Sequence, residues 1–213
     1  MATRSSTRRP RASSQARIDT ILEAARELLS SEGLANLSIY AIAAKADIPP
    51  SSVYHFFPSI SAVLEALISS VHQAFLTALD SPPATGLIHS WHDLAAHIEK
   101  QVLSVYQHDE AARQLILSSH GMSEVMLRDR QHDVELSHAV AALFNHYFKL
   151  PPLPADIDIF DLAMQLADRI YTLSIQRHGE ITPTMAAEGL RAYQAYLGLY
   201  LPPLLQRQSG NAQ

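Results

Sequence analysis

The stretch from Ile48 to Pro58 reads IPPSSVYHFFP. Prolines fence it at both ends, and barely two helical turns carry three aromatic rings and a histidine. Each proline disfavours the α conformation in the residue before it, so Asp47 to Pro49 reads as a turn. Pro50 or Ser51 then opens a helix, where a missing N–H costs nothing. Pro58 stops it. At about 100° per residue, Val53 and Phe57 share one face, and Ser51, Ser52 and His55 share the other. Tyr54 and Phe56 flank them. The first face suits a core; the second is small and polar enough to enter a DNA major groove. The alternative is that Tyr54 and His55 only cover the edge of that core.

The sequence on either side supports a helical frame. Ile18, Ile21, Leu22, Ala25, Leu28 and Leu29 recur at spacings of three and four, the pattern of an amphipathic helix, and Gly33 ends it. Ser38 is placed to cap a short helix through Ile39, Ile42, Ala43 and Ala46. Two short helices across a tight turn, the first rich in alanine, form a helix-turn-helix, with Val53 and Phe57 expected to pack on Leu22, Leu37 and Ile42. Ser59 is placed to cap a longer helix through about Ser81. Further helices are expected over about 89–107, 110–119, 122–149, 157–178 and 184–204, separated by proline and glycine breaks. No alternating segment reads as a strand. The fold class is all-α: an N-terminal three-helix helix-turn-helix domain followed by a C-terminal helical bundle.

Composition narrows the function. An apolar content of 47% with 17% charged residues suits a well-buried core. The absence of cysteine excludes disulfides and thiolate metal sites, and a reducing cytosol is compatible with it. No run offers about 20 continuous apolar residues, so no membrane span is expected. The arginine-rich start lacks an apolar segment behind it, so it does not read as a secretory signal, and a cytoplasmic location is expected. The net charge of −5 hides an asymmetry. Arg4, Arg8, Arg9, Arg11 and Arg17 give residues 1–17 a charge of +5 with no acid, leaving the rest at −10. A basic arm on an acidic body suits nucleic-acid contact, while its serine, threonine and proline suit a disordered solubilising tail.

Residues 16–67 carry the Ala24-Ala25 and Leu28-Leu29 pattern ending at Gly33, the Ser38 cap, Ile42-Ala43, and Val53-Tyr54-His55-Phe56-Phe57-Pro58-Ser59. In this they resemble the DNA-binding domain of the TetR family of bacterial regulators. The resemblance implies an operator-binding protein with double-stranded DNA as partner. Ser38, Tyr40, Lys45, Ser52 and Tyr54 would contact the DNA backbone, with Ser51 and His55 at base edges. Three departures stand out. The lysine common in the family after the Pro-Ser pair is Ile60 here, Phe56 cannot donate a hydrogen bond, and Asp47 replaces the turn glycine. Arg4, Arg8, Arg9 and Arg11 could restore the missing phosphate contacts by entering the adjacent minor groove.

The resemblance also assigns the C-terminal two-thirds to effector binding and dimerisation. The domains expected are a flexible basic arm over 1–15, the helix-turn-helix domain over 16–60, the ligand and dimer domain over 61–205, and a flexible tail over 206–213. Pockets between bundle helices are mostly apolar with a few placed polar groups. Candidate effector contacts are therefore Trp91, His97, Tyr106, His120, Met122, Met126, Tyr147, Met164, Asp168 and Tyr171. The last two expected helices are apolar around most of their circumference and need cover on two sides. A two-fold homodimer through them would use Phe160, Ile170, Tyr193, Tyr196, Leu199 and Tyr200. His89, His92 and Asp93 have the spacing of a metal site but fall at an expected helix start. No cofactor is expected. No enzyme is expected either: Gly121-Met-Ser-Glu-Val lacks the second glycine of a nucleophile elbow, and no glycine-rich phosphate loop occurs. The reading is a repressor released from a palindromic operator by a small, largely apolar effector. The alternatives are an activator of the same family and a metal-responsive regulator.

Overall fold

The computed structural model describes residues 9–81, 83, 86–117 and 123–208, with side chains described apart from those of 9–12 and 123–131. Arg4, Arg8, His120 and Met122 lie outside the described residues, as do the side chains of Arg9, Arg11 and Met126. The chain divides into two compact units between Ile68 and Ser69. Among the described residues there is no strand, only an isolated antiparallel bridge between Phe148 and Arg207. The protein is all-α.

The first unit is built on α1 (Arg9–Glu32), α2 (Ile39–Lys45) and α3 (Pro50–Phe56). α1 begins at Arg9, so part of the segment expected to be a flexible arm is helical. Gly33 follows it at φ 76°. The Ser38 hydroxyl oxygen accepts from Ala41 N at 3.1 Å and caps α2. α2 closes in a Schellman turn, with Ile48 N donating to Ala43 O at 3.0 Å and Asp47 N to Ala44 O at 3.3 Å. Asp47 sits there at φ 52°, the single described non-glycine residue with positive φ. This left-handed position is where a glycine would be easiest, and aspartate is among the few residues that tolerate it. Pro50 occupies the first turn of α3. Val53 and Phe57 are buried, as are Leu37 and Ile42. On α1 Ile21 is fully buried, and the expected Leu22 is only half-buried. The pair lies side by side on the helix, and the core direction falls on Ile21.

α4 (Ile60–Leu79) carries residues of both units, and the Ser59 hydroxyl oxygen accepts from Ala62 N near its start. It is the one described helix long and apolar enough to cross a membrane by length and composition. Val63, Leu64, Leu67, Ile68, Val71 and Phe75 on it are buried inside the protein, which accounts for that composition.

The second unit continues with α5 (Trp91–His108), α6 (Glu110–Ala112), a wide π-type turn over Arg113–Leu117, α7 (Ser123–Tyr147), α8 (Ile159–His178) and α9 (Pro183–Leu197). The single helix expected over 110–119 is therefore a short α turn that widens. The last helix stops at Leu197 rather than 204. Pro202 and Pro203 cannot continue a helix, and residues 198–208 turn back instead. Trp91 Nε1 donates to Pro202 O at 2.9 Å, and Lys149 N donates to Gln206 O at 2.8 Å. The expected flexible tail from 206 is thus paired with the end of α7 as far as Gln208, whose N–H donates to Tyr147 O at 3.0 Å. α8 and α9 form an antiparallel pair, closed by buried Ser174, which donates to Glu180 O and accepts from Thr182 N.

Candidate DNA-binding face and effector cavity

In the first unit, α3 is anchored by Val53 and Phe57 and turns Ser51, Tyr54 and His55 to solvent. Tyr54 is 45% exposed and Tyr40 on α2 is 67% exposed. Two tyrosines left on the surface of so small a unit have no packing role that would explain them. The His55 ring stands edge-on to Phe56 at 4.8 Å, which fixes the imidazole without covering it. Ser52 is half-buried, and Ser38 is exposed with its oxygen already engaged as a cap. Lys45 Nζ meets Glu27 Oε2 at 2.7 Å, and this bond holds its ammonium above the usual lysine range. A phosphate contact by Lys45 would have to compete with that exposed pair.

In the second unit a cavity lies among α4, α5, α7 and α8. Its lining includes Phe75, Glu99, Tyr106, Met164 and Asp168. The room it leaves for water is about 20 Å³, and all the space between its atoms, counting the part open to solvent, is about 420 Å³. The first figure suits one water, so a larger ligand enters only as the lining moves aside. Tyr106 Oη donates to Asp168 Oδ1 at 2.9 Å, and Tyr171 Oη donates to Glu99 Oε2. Phe75 and Tyr106 meet edge-to-face at 5.2 Å. Glu99 is only 2% exposed. Burial pushes its carboxyl up to about 7, against the opposing pull of the Tyr171 hydrogen bond. Burial and the neighbouring Glu99 raise the Tyr171 hydroxyl in turn.

With both sites in view, the comparison with known proteins is direct. The sequence profile of the bacterial regulatory proteins of the tetR family matches residues 21–67. That segment is a DNA-binding domain of the tetR family. Solved structures share the fold across most of the chain. A TetR-family transcriptional regulator from Streptomyces coelicolor is 19% identical, with a TM-score of 0.66 over 87% of this chain and 99% of that one. The multidrug binding protein EbrR, complexed with imidazole, is 17% identical, with a TM-score of 0.64 over 92% of this chain and 97% of that one. A TetR regulator from Rhodococcus sp. RHA1 is 18% identical, with a TM-score of 0.63 over 87% and 97%. No curated protein matches.

The cavity gathers only some of the expected effector residues. Tyr106, Met164 and Asp168 line the cavity, and Tyr171 stands behind it on Glu99. Trp91 does not: it is fully buried, bonded to Pro202 and stacked on His92 at 3.6 Å. His97 bonds to Ser81 O at 3.1 Å, and Tyr147 sits at the end of α7 beside His146 and Phe148. Glu99 and His72 were missed. Both sit on the apolar stripes of their helices, Glu99 between Ile98 and Val102 and His72 between Val71 and Phe75. A polar group inside such a stripe is the signal that could have found them.

The His89, His92 and Asp93 spacing has a local cause. Asp93 Oδ2 accepts from His89 N at 3.0 Å and Ser90 N at 2.8 Å, completing a capping box. Burial works against the Asp93 charge, but these bonds outweigh it and hold the carboxyl below its usual range. Among the described residues no group of His, Cys, Asp and Glu assembles a metal site. The expected dimer residues divide as well. Phe160 and Tyr193 are buried within their own chain, so neither is available to a partner. Ile170, Tyr196 and Tyr200 are half-buried, and Leu199 is 75% exposed. Leu162 and Leu166 on α8, absent from the expected set, are also exposed.

Proposed function

We propose that this TetR-family regulator is a repressor that holds a palindromic operator as a two-fold dimer and leaves it when a small effector enters the cavity. The observation that carries the DNA reading is the exposure of Tyr40, Ser51, Tyr54 and His55 around an α3 anchored by Val53. Ser51 and His55 read base edges in the major groove, while Ser38, Tyr40, Ser52, Tyr54 and Lys45 meet phosphates. Arg4, Arg8, Arg9 and Arg11 add contacts in the adjacent minor groove, offsetting the absence of a lysine at Ile60.

A single helix-turn-helix reads too few base pairs for specificity, so two copies must stand about one DNA turn, roughly 34–36 Å, or a multiple of it apart. The apolar residues that α8 and α9 leave uncovered, with Leu199 just beyond, supply the surface that would hold them. The aromatic and aliphatic lining of the cavity supports a small, largely apolar effector, and EbrR, of the same fold, is a multidrug binding protein. The chain works where its DNA is, in the cytoplasm. A gel-shift assay with the DNA upstream of its own coding sequence tests the whole reading. A retarded complex that cold copies of the same DNA compete away supports it, and the same weak binding to any DNA overturns it.

A further inference from the structure

The cavity has a charge character that an apolar effector alone would not require. Glu99 of α5, Asp133 of α7 and Asp168 of α8 all line it, and among the described residues no lysine or arginine does. Acidic residues at a surface would mean little. Glu99, however, is 2% exposed, and only one of its oxygens is used. Oε2 accepts from Tyr171 Oη, while Oε1 accepts no hydrogen bond among the described residues. A carboxylate has about four acceptor positions, so Glu99 has room for a further donor, and a counter-charge relieves the cost of holding its ionised form out of water. The apolar walls fit the same partner. Phe75 and Tyr106 offer ring faces and edges, and the flexible Met164 thioether adapts to shape.

Resting on the proposal that this cavity is the effector site, we infer that it takes a monovalent organic cation. The ligand is an ammonium head on an aromatic or aliphatic body, with the head set between Glu99 and Asp168 and the body against Phe75, Tyr106 and Met164. An anion would meet three carboxylates with no basic side chain beyond His72 among the described residues. A neutral ligand of the same shape would leave Glu99 with the Tyr171 hydroxyl but no counter-charge. A cation supplies that counter-charge, and aromatic rings add their own attraction for it.

The test uses three one-ring probes of similar size on the full chain by calorimetry at about pH 8: phenethylammonium, 2-phenylethanol and phenylacetate. The cation should bind at least about tenfold more tightly than the alcohol, with phenylacetate weakest. Glu99→Gln and Asp168→Asn, each checked for a cooperative melt, should keep the alcohol's affinity and lose most of the cation's advantage. If one variant fails to fold, the other carries the comparison. No advantage for the cation in the wild type, no cation binding at millimolar concentration, or an undiminished advantage in the folded variants would overturn the inference. A parallel gel shift separates it from the regulatory reading. Cation binding that leaves the operator complex intact would keep the ligand class and overturn the effector role. Failure to hold DNA would overturn the DNA reading alone.

Discussion

Gly189 of α9 lies so close to the ring of Tyr171 of α8 that a β-carbon there would overlap the Tyr171 Cε1, Cζ and Oη atoms. Glycine therefore sets how closely α8 and α9 approach, and it holds the hydroxyl that reaches Glu99. Gly189→Ala should force the ring aside and destabilise the chain by about 1–3 kcal/mol, the usual range for overpacking. Urea unfolding measures it. A stability equal to the wild type would mean that Tyr171 moves at no cost.

Tyr54 and His55 are exposed and outside the core of the first unit. Replacing both with Ala should leave the melting curve unchanged and weaken operator binding, by about 1–3 kcal/mol for each lost contact. Fluorescence anisotropy with labelled operator reads the affinity. Unchanged affinity would remove α3 from the DNA face.

Asp47 at φ 52° tests the turn between α2 and α3. Asp47→Val should cost about 1–2 kcal/mol, since a β-branched residue is poorly tolerated there, while Asp47→Gly should be near neutral. Chemical unfolding of the two variants side by side checks the order. Equal stability of both would show that the turn rearranges freely.

These positions also show what was legible before any coordinates. Ser38, Asp47, Pro50 and Ser59 mark local events, settled by neighbours within four residues, and each falls where its chemistry placed it. What escaped was long-range. The reversal after Leu197 depends on Pro202 meeting Trp91, 111 residues away. The periodicity of α8 and α9 gave two apolar faces but not their order, so Tyr193 was assigned outward although its own chain buries it. Its hydroxyl is buried with no hydrogen-bond partner among the described residues, which polarity alone would not suggest. In the cavity, Asp168 was within the expected set, whereas Glu99 lies inside the apolar stripe of α5, where periodicity alone reads a core position.

The Glu99 carboxyl rises from 4.5 to about 7 on folding, so between those values the folded chain keeps a proton that the unfolded chain has lost. Its contribution to stability therefore falls as pH rises through that window and levels off above it. The loss is at most about 3 kcal/mol, taking 1.36 kcal/mol per unit. Glu99→Gln should flatten this fall, and guanidinium midpoints from pH 5 to 8 (roughly the window set by the shift) measure it. A slope identical to the wild type would place the titration elsewhere.

Leu166 is 43% exposed on α8 and Leu199 is 75% exposed beyond α9. If these surfaces hold two copies together, Leu166→Glu with Leu199→Glu should give a folded monomer that no longer retains a palindromic operator. Sedimentation velocity decides it. A monomeric wild type at micromolar concentration, or a double variant still dimeric, would move the interface elsewhere.

Trp91, sealed at the start of α5 between His92 and the Pro202 carbonyl, is the single tryptophan of the chain. Its emission is therefore a reporter that nature has confined to the second unit. A shift to longer wavelength on denaturation follows the opening of that unit and is silent on the helix-turn-helix, whereas helical circular dichroism sums both. Wherever the two signals part along one titration, the interval between them is the range of conditions in which one unit stands while the other has melted.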